Sequence, residues 1–301
     1  MKAPAMASAN LPIEDWVGRT QSLTDVIHGV QVRQLAATLN DAPRLAHGDA
    51  APLPAGWHWA YFNPLELQSR LGDDGHPQRG DFLPPVSLPR RMWAGSRLTW
   101  TRAFRVGSTV TRQTRISSVE RKSGRSGDMV FVTLAHQYTD SDGLLLDEEH
   151  DIVYRDWPSD AEKAGLADLG RRARAGEHVF ERTGTHRQAV RADATVLFRY
   201  SAATFNGHRI HYDGDYCRSV EGYPGLVVHG PLIATLLLGF VENTLAPERR
   251  IHQFSFRAKR PTFDLGGFHL HASPGADSHG MHVWSTNNIG EVGLDATVVL
   301  D

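Results

Sequence analysis

One cysteine, Cys217, stands among 301 residues, which excludes an intramolecular disulfide framework and any zinc site built on several thiolates. That scarcity fits a reducing cytoplasm, the expected location. Long apolar runs are missing as well. The longest, residues 232–241, falls well short of the roughly 20 a membrane span requires, and the N-terminus lacks a basic region followed by an apolar one. No membrane partner is expected. Charge of one sign is also absent: 32 Lys and Arg stand against 34 Asp and Glu, a formal net charge of -2. Without a global basic field, nucleic acid is not an expected partner, and any anionic ligand must meet a local basic cluster. Histidine, in contrast, is abundant at 16 residues, and its spacing has to be tested for metal binding.

The length allows two domains of ordinary size. Val32, Leu35, Ala36 and Leu39 follow the i, i+3, i+4, i+7 rule, predicting an amphipathic helix within residues 24–40. A stretch dense in proline and aromatics follows, including Trp57, Trp59, Tyr61, Phe62 and residues 82–89, and reads as an ordered loop because its rings need burial. From 97 to 154 the pattern alternates (Leu98/Trp100, Met129/Phe131/Thr133), punctuated by Gly107, Gly124, Gly127 and Gly143, which predicts an antiparallel sheet. Residues 122–127 read as a hairpin turn. Residues 159–190, without a long apolar run, read as a connection between an N-terminal domain over 1–158 and a C-terminal catalytic domain over 191–301.

The second half repeats the order: an irregular segment over 200–226, a helix from about Pro231, then alternating strands around Phe254/Phe256, Phe268/Leu270, Val283/Trp284 and Thr297/Val299. Gly230 suits the helix cap and Pro231 the first helical position. The helix is apolar on almost every side and so should be buried. A sheet curled around it, the hot-dog arrangement, would satisfy it. The fold class expected is α+β, a double hot-dog of two tandem antiparallel sheets, each around a helix.

The strongest local signal is Tyr200-Ser-Ala-Ala-Thr-Phe-Asn-Gly-His-Arg-Ile-His-Tyr-Asp213, followed by Val220-Glu-Gly-Tyr-Pro-Gly-Leu-Val-Val-His-Gly-Pro-Leu232. With Phe82-Leu-Pro-Pro-Val-Ser-Leu-Pro-Arg-Arg-Met-Trp-Ala-Gly95, residues 122–127 and Asp151-Ile-Val-Tyr-Arg155, it resembles the two-domain branch of the MaoC-like dehydratases, the mesaconyl-CoA hydratase and hydroxyacyl-thioester dehydratase type. The resemblance covers most of the chain. It implies a double hot-dog enzyme that reversibly hydrates an enoyl-CoA to a 3-hydroxyacyl-CoA, with a C5 dicarboxylic or branched group such as mesaconyl or itaconyl as the suggested acyl part. In related hydratases an Asp and a His lie five positions apart. Here His211 matches the histidine and Asn206 replaces the aspartate, and an amide cannot take a proton at neutral pH.

The roles that follow are proton transfer by His211, orientation of water by Asn206, and donation to the thioester oxygen by the Gly230 amide. His211 could instead be a core histidine bonded to a carbonyl. His208 and His229 are expected near the substrate, His229 being equally suited to packing or capping. Two basic clusters, Arg90-Arg91 and Arg257, Lys259 and Arg260, suit the phosphates of coenzyme A, with solvated strand edges as the bland reading, and a free carboxylate would need a partner such as Arg90, Arg91 or Arg209. The His208–His211 spacing suits a metal, but no carboxylate or cysteine completes a site, so no metal and no cofactor beyond the substrate's own coenzyme A is expected. A homodimer or higher homo-oligomer is expected. Thioester hydrolysis, or acyl-CoA binding without turnover, are the alternatives.

Overall fold

Alternating inward and outward residues pair the strands into one antiparallel sheet in the computed structural model, which describes residues 12–124 and 127–301. In chain order the strands are β1 (Thr20–Val26), β2 (Arg90–Trp100), β3 (Thr109–Gly124), β4 (Gly127–Asp140), β5 (Gly143–Arg155), β6 (His186–Arg191), β7 (Ile251–Ala258), β8 (Gly267–Pro274), β9 (Gly280–Thr286) and β10 (Val292–Leu300). The helices are α1 (Gly29–Leu39), α2 (Ala42–Leu45), α3 (Asp160–Arg174), α4 (Ala194–Ala203), α5 (Gly214–Tyr216) and α6 (Gly230–Phe240).

The spatial order is β1-β3-β4-β5-β2-β7-β10-β9-β8-β6. Read outward from the β2–β7 seam, each half shows its own second, fifth, fourth, third and first strand. The halves are therefore topological copies, although no residue-level repeat betrays it. At the seam Gly95 pairs with Arg257 and Thr99 with Gln253. A Cβ on Gly95 would lie 2.3 Å from the Phe256 carbonyl oxygen, so only glycine lets the two halves approach here.

Helix α1 begins later than its periodicity suggests, because Thr24 to Val26 extend β1 and pair with β3. Val32, Leu35 and Ala36 are buried as expected, and Asn40 ends the helix in the left-handed conformation at φ 57°. The connecting residues 159–190 carry α3 and the start of β6. Ser159 and Glu162 form a capping box for α3, whose only buried residues are Leu169 and Gly170. A helix lying mostly in solvent leaves no apolar run to detect.

The segment read as irregular over 200–226 contains regular pieces. Helix α4 runs on through Ala203, started by Asp193, whose carboxylate accepts from the Thr195 and Val196 amides at 3.1 Å each. A 3-10 turn over Arg209–His211, then α5 and a π-turn over Cys217–Glu221, follow. Helix α6 is buried against β8, β9 and β10. Its N-cap is His229, which makes Gly230 the first helical residue rather than the cap and Pro231 the second.

Against the first half's strands sits a 3-10 turn, Trp57–Ala60, dense in aromatics. Trp59 meets Trp93 edge-on at 5.1 Å, and His58 stacks on Phe104 at 5.6 Å. Beneath them the buried Glu148 carboxylate accepts from His58 Nε2 (3.2 Å), Trp59 Nε1 (3.1 Å), Ser96 Oγ (3.3 Å) and Tyr138 OH (3.1 Å). The proline-rich loop is ordered because the Arg79 guanidinium donates to the carbonyls of Val86, Leu88 and Pro89. Gly124 pairs with Gly127 across the β3–β4 reversal, and the tip of the expected hairpin turn, 125 and 126, lies outside the described residues.

Candidate active site

The N-terminus of α6 gathers the side chains singled out in the second half. Its first N–H groups have no carbonyl one turn back to bond, and Pro231 has no N–H, so Gly230 presents a free donor. A Cβ built on Gly230 meets nothing within 4 Å, so open space lies beside that amide. The donor is accessible to a ligand.

His211 reaches this end from its 3-10 turn. Its Nδ1–H donates to the Val227 carbonyl at 2.7 Å, and Val227 is itself held by donating its amide to Ile210 and by a bridge to Phe263. The bond to a carbonyl that the bland reading foresaw is therefore present, and it serves the chemistry. Committing Nδ1 as donor leaves Nε2 with the lone pair. Burial pushes the His211 pKa down to about 4, with the Val227 bond opposing, so the ring is neutral and basic at Nε2 near pH 7.

His229 is fully buried and stacks on His211 at 3.6 Å and 18°. Its Nε2 lies 2.8 Å from Ser201 Oγ on α4, so it backs the His211 ring rather than facing open space. Burial, then the neighbouring His211, holds its pKa far below the usual range. Asn206 is half-buried, and its Oδ1 accepts the His208 amide at 3.0 Å. The Nδ2 group remains as its free donor.

The first half also brings titratable side chains to this end of α6. The loop Gly72-Asp-Asp-Gly-His76 docks on the 206–211 segment: the Arg209 amide donates to the Asp74 carbonyl at 2.9 Å, and the Arg209 guanidinium to Asp73 O at 3.0 Å. His76 lies 4.1 Å from His208, ring centre to ring centre, and His208 lies 5.5 Å from His211. Gly75 has φ +86°, and a Cβ there would lie 2.0 Å from Gly207 O. Gly75→Ala is expected to dislodge this loop and lower turnover by more than about tenfold, the scale on which small misplacements act. Steady-state kinetics beside an unfolding curve would check it, and an unchanged kcat would show that the docking is dispensable.

Asp74 also supplies a carboxylate beside His208, in a group that takes His76 in place of His211. Asp74, His76 and His208 each offer a ligand atom, all within 4.8 Å of one another, and are the group that could hold a metal ion among the described residues. Two further observations bear on it. The Asp74 carboxylate already accepts from the His76 amide (3.0 Å) and from His76 Nδ1 (3.1 Å), and the charges of Arg91 and Arg79 act on His76, raising the cost of another cation.

The basic residues divide. Arg90 is buried, donating from Nε to the Asp156 carbonyl at 2.7 Å, so the phosphate role expected of it is corrected: its guanidinium does not face solvent. Arg260 is taken by Glu181 at 3.0 Å and the Val292 carbonyl at 3.2 Å. Arg257 and Lys259 are exposed at the end of β7, shortly before Thr262, whose carbonyl accepts from Val228 near the α6 N-terminus. They remain suited to a phosphate. Arg91 is half-buried, and no carboxylate pairs with it among the described residues. Cys217 is buried with its thiol pushed up to about 12, an inert group.

Asp74, His76 and Ser201 escaped the sequence reading. The density of charge and glycine in residues 72–76, inside a loop of aromatics and prolines, was the available signal.

A family model described as hydroxyacyl-thioester dehydratase type 2 matches residues 56–264. Among relatives, a mesaconyl-C(4)-CoA hydratase of Chloroflexus aurantiacus is 42% identical over 291 residues, 95% of this chain and 96% of that protein. A mitochondrial hydroxyacyl-thioester dehydratase type 2 of Schizosaccharomyces pombe is 24% identical over 70% of this chain and 74% of its own. In shape, the chain is similar to a Mycobacterium tuberculosis protein described as having a double hotdog fold, at a TM-score of 0.58 and 15% identity, covering 95% of this chain and 96% of that one. The double hot-dog is thus the fold, in agreement with the mirrored strand order.

Proposed function

This chain belongs to the hydroxyacyl-thioester dehydratase type 2 family, and from that membership we propose that it reversibly adds water to an enoyl-CoA to give a 3-hydroxyacyl-CoA. The observation that carries the reading is His211, whose Nδ1 is committed to Val227, whose Nε2 is left as a neutral base, and whose ring stacks at 3.6 Å on His229, the residue before the Gly230 amide. In the proposed reaction the thioester oxygen accepts from Gly230 N–H. Nε2 of His211 takes a proton from water as the hydroxyl bonds to the β carbon. Electron density moves to the thioester oxygen as an enolate, and His211 returns the proton to the α carbon. A single acid–base group balances the addition, and no electrons leave the substrate.

The Gly230 donor strengthens as enolate charge grows, a contribution of about 3 kcal/mol to the barrier for a well-placed amide. Asn206 would steer the water with its Nδ2 donor. A C5 dicarboxylic acyl group such as mesaconyl is the proposed substrate, supported by the 42% identical relative. Loss of the enoyl-thioester absorbance on mixing with mesaconyl-CoA, without release of thiol, is the expected result. Thiol release in its place would assign the protein to hydrolysis instead.

Asn206→Asp is expected to lower kcat about tenfold, because a carboxylate keeps the bond to the His208 amide but loses the donor to water, worth about one neutral hydrogen bond. Wild-type rate in this variant would show that the amide has no role of its own.

A further inference from the structure

We propose that Arg91 is the residue that binds the free carboxylate of a dicarboxylic acyl group, and so sets the enzyme's preference for diacid over monoacid thioesters. This rests on the reading of the protein as a hydratase, which the experiment below separates from it.

Three guanidiniums lie in or beside the site besides Arg91; two are held by several acceptors, and Arg90 is buried and bonded through Nε alone. Arg209 is paired with Asp213 at 2.7 Å and donates to Asp73 O. Arg79 is bonded to three carbonyls of the proline-rich loop. Arg90 faces the other way, into the interior, against Asp156 O. Arg91, next along β2, points from the opposite side of that strand. It is paired in register with Tyr154, over whose ring the Arg79 guanidinium sits at 5.1 Å, and its charge is felt by both His76 and His208. It is thus a half-buried guanidinium with its donors uncommitted to any acid among the described residues, at the wall of the site formed by the first half.

The local charge is unbalanced in the sense the proposal needs. Arg209 is balanced by Asp213, and the Arg90 charge acts on the buried Glu221; Arg79 and Arg91 bring two further positive charges, and Asp74 one negative. One positive charge in a partly desolvated site is left without a counterion, and such charges are ordinarily paired. A substrate carboxylate supplies the partner, in the forked geometry for which guanidinium is suited. In an unsaturated C5 diacid thioester of the mesaconyl type, that carboxylate is attached to the β carbon, which receives the hydroxyl. Its negative charge would oppose the enolate growing across the double bond. A guanidinium on it relieves that repulsion, so Arg91 should act on kcat as well as on KM.

The test compares matched thioesters that differ only in the carboxylate. For wild type and Arg91→Met, kcat/KM is measured on mesaconyl-C4-CoA and on 3-methylcrotonyl-CoA, in which a methyl group replaces the carboxylate, and equilibrium binding on succinyl-CoA and butyryl-CoA. The ratio favouring the diacid is expected to fall by about 10- to 100-fold in the variant, the scale of one hydrogen-bonded charge. An equal loss on both members of each pair would overturn the proposal and assign Arg91 to the phosphates of coenzyme A or to the fold. A wild-type protein without preference for the diacid would overturn it too. Arg91→Lys, which keeps the charge but not the fork, provides the same ratios should the Met variant not fold, with a smaller fall expected. If wild type prefers succinyl-CoA, Arg91→Met erases that preference, and no enoyl-CoA is turned over, the carboxylate site stands and the hydratase reading falls.

Discussion

Replacing His211 with glutamine is expected to lower hydration turnover by about a hundredfold or more, the usual scale for loss of a general acid–base. Glutamine can still donate to the Val227 carbonyl, as His211 Nδ1 does at 2.7 Å, so the chain path from the 3-10 turn to α6 should survive. It cannot accept and return a proton. A circular dichroism spectrum and an unfolding midpoint close to wild type, beside the lost rate, would place the effect in the chemistry. The pH profile supplies a second check on wild type. Since burial lowers this imidazole to about 4, its neutral, active form persists through the range where an exposed histidine would charge, and kcat/KM should fall only as pH approaches that value. A variant retaining more than about a tenth of the wild-type rate would remove His211 from the role, since even a modest acid–base contribution exceeds that.

Glu148→Ala is expected to destabilise the protein by about 3–5 kcal/mol, the cost of breaking a buried charged network from one side. The carboxylate is 3% exposed and holds four donors at 3.1–3.3 Å. Burial alone would raise its pKa, but the bond from His58 and the nearby imidazoles hold it below the ordinary carboxylate range, so it is ionised at neutral pH. Removing it strands the Trp59 indole N–H, the Tyr138 and Ser96 hydroxyls and the His58 ring among aromatics, where water cannot replace it. Glu148→Gln keeps the shape but turns an N–H₂ toward some of those donors, and should cost less than Ala and more than nothing. Urea titrations of the three proteins give the comparison. A shift below about 1 kcal/mol for Ala would mean that the network contributes little net stability.

What the sequence exposed follows from the range over which each signal acts. Helix α6 was legible because a run of apolar residues between Pro231 and Pro247 admits only a buried helix. The strands were legible from alternation, as at Phe254/Phe256 and Val283/Trp284. Their mirrored order was not, because alternation assigns a face and says nothing of neighbours. Helix α4 was hidden beneath the polar residues that follow it, although Asp193 marks its start. In the site, His211 and Gly230 lie close in sequence and could be named together. Asp74 and His76 arrive from the other half of the chain, through backbone contacts between Gly75 and Gly207 that no local pattern announces. The same distance concealed the carboxylate that joins His208, and with it the three-donor group the sequence was thought to lack. Arg90 and Arg91 look equivalent as letters. Their opposite directions from β2 separate a buried structural cation from one facing the site.

The loop carrying His76 and the helix carrying Gly230 belong to one covalent chain, and the hydrogen-bonded β2–β7 seam holds their two halves together. Walls contributed by two separate molecules would part on dilution, and the rate per molecule would fall with them. Here the second wall is present at an effective concentration fixed by the fold itself. Specific activity should therefore be independent of how far the enzyme is diluted, as far as assembly of this site is concerned, which leaves each half free to specialise for a different part of the same substrate.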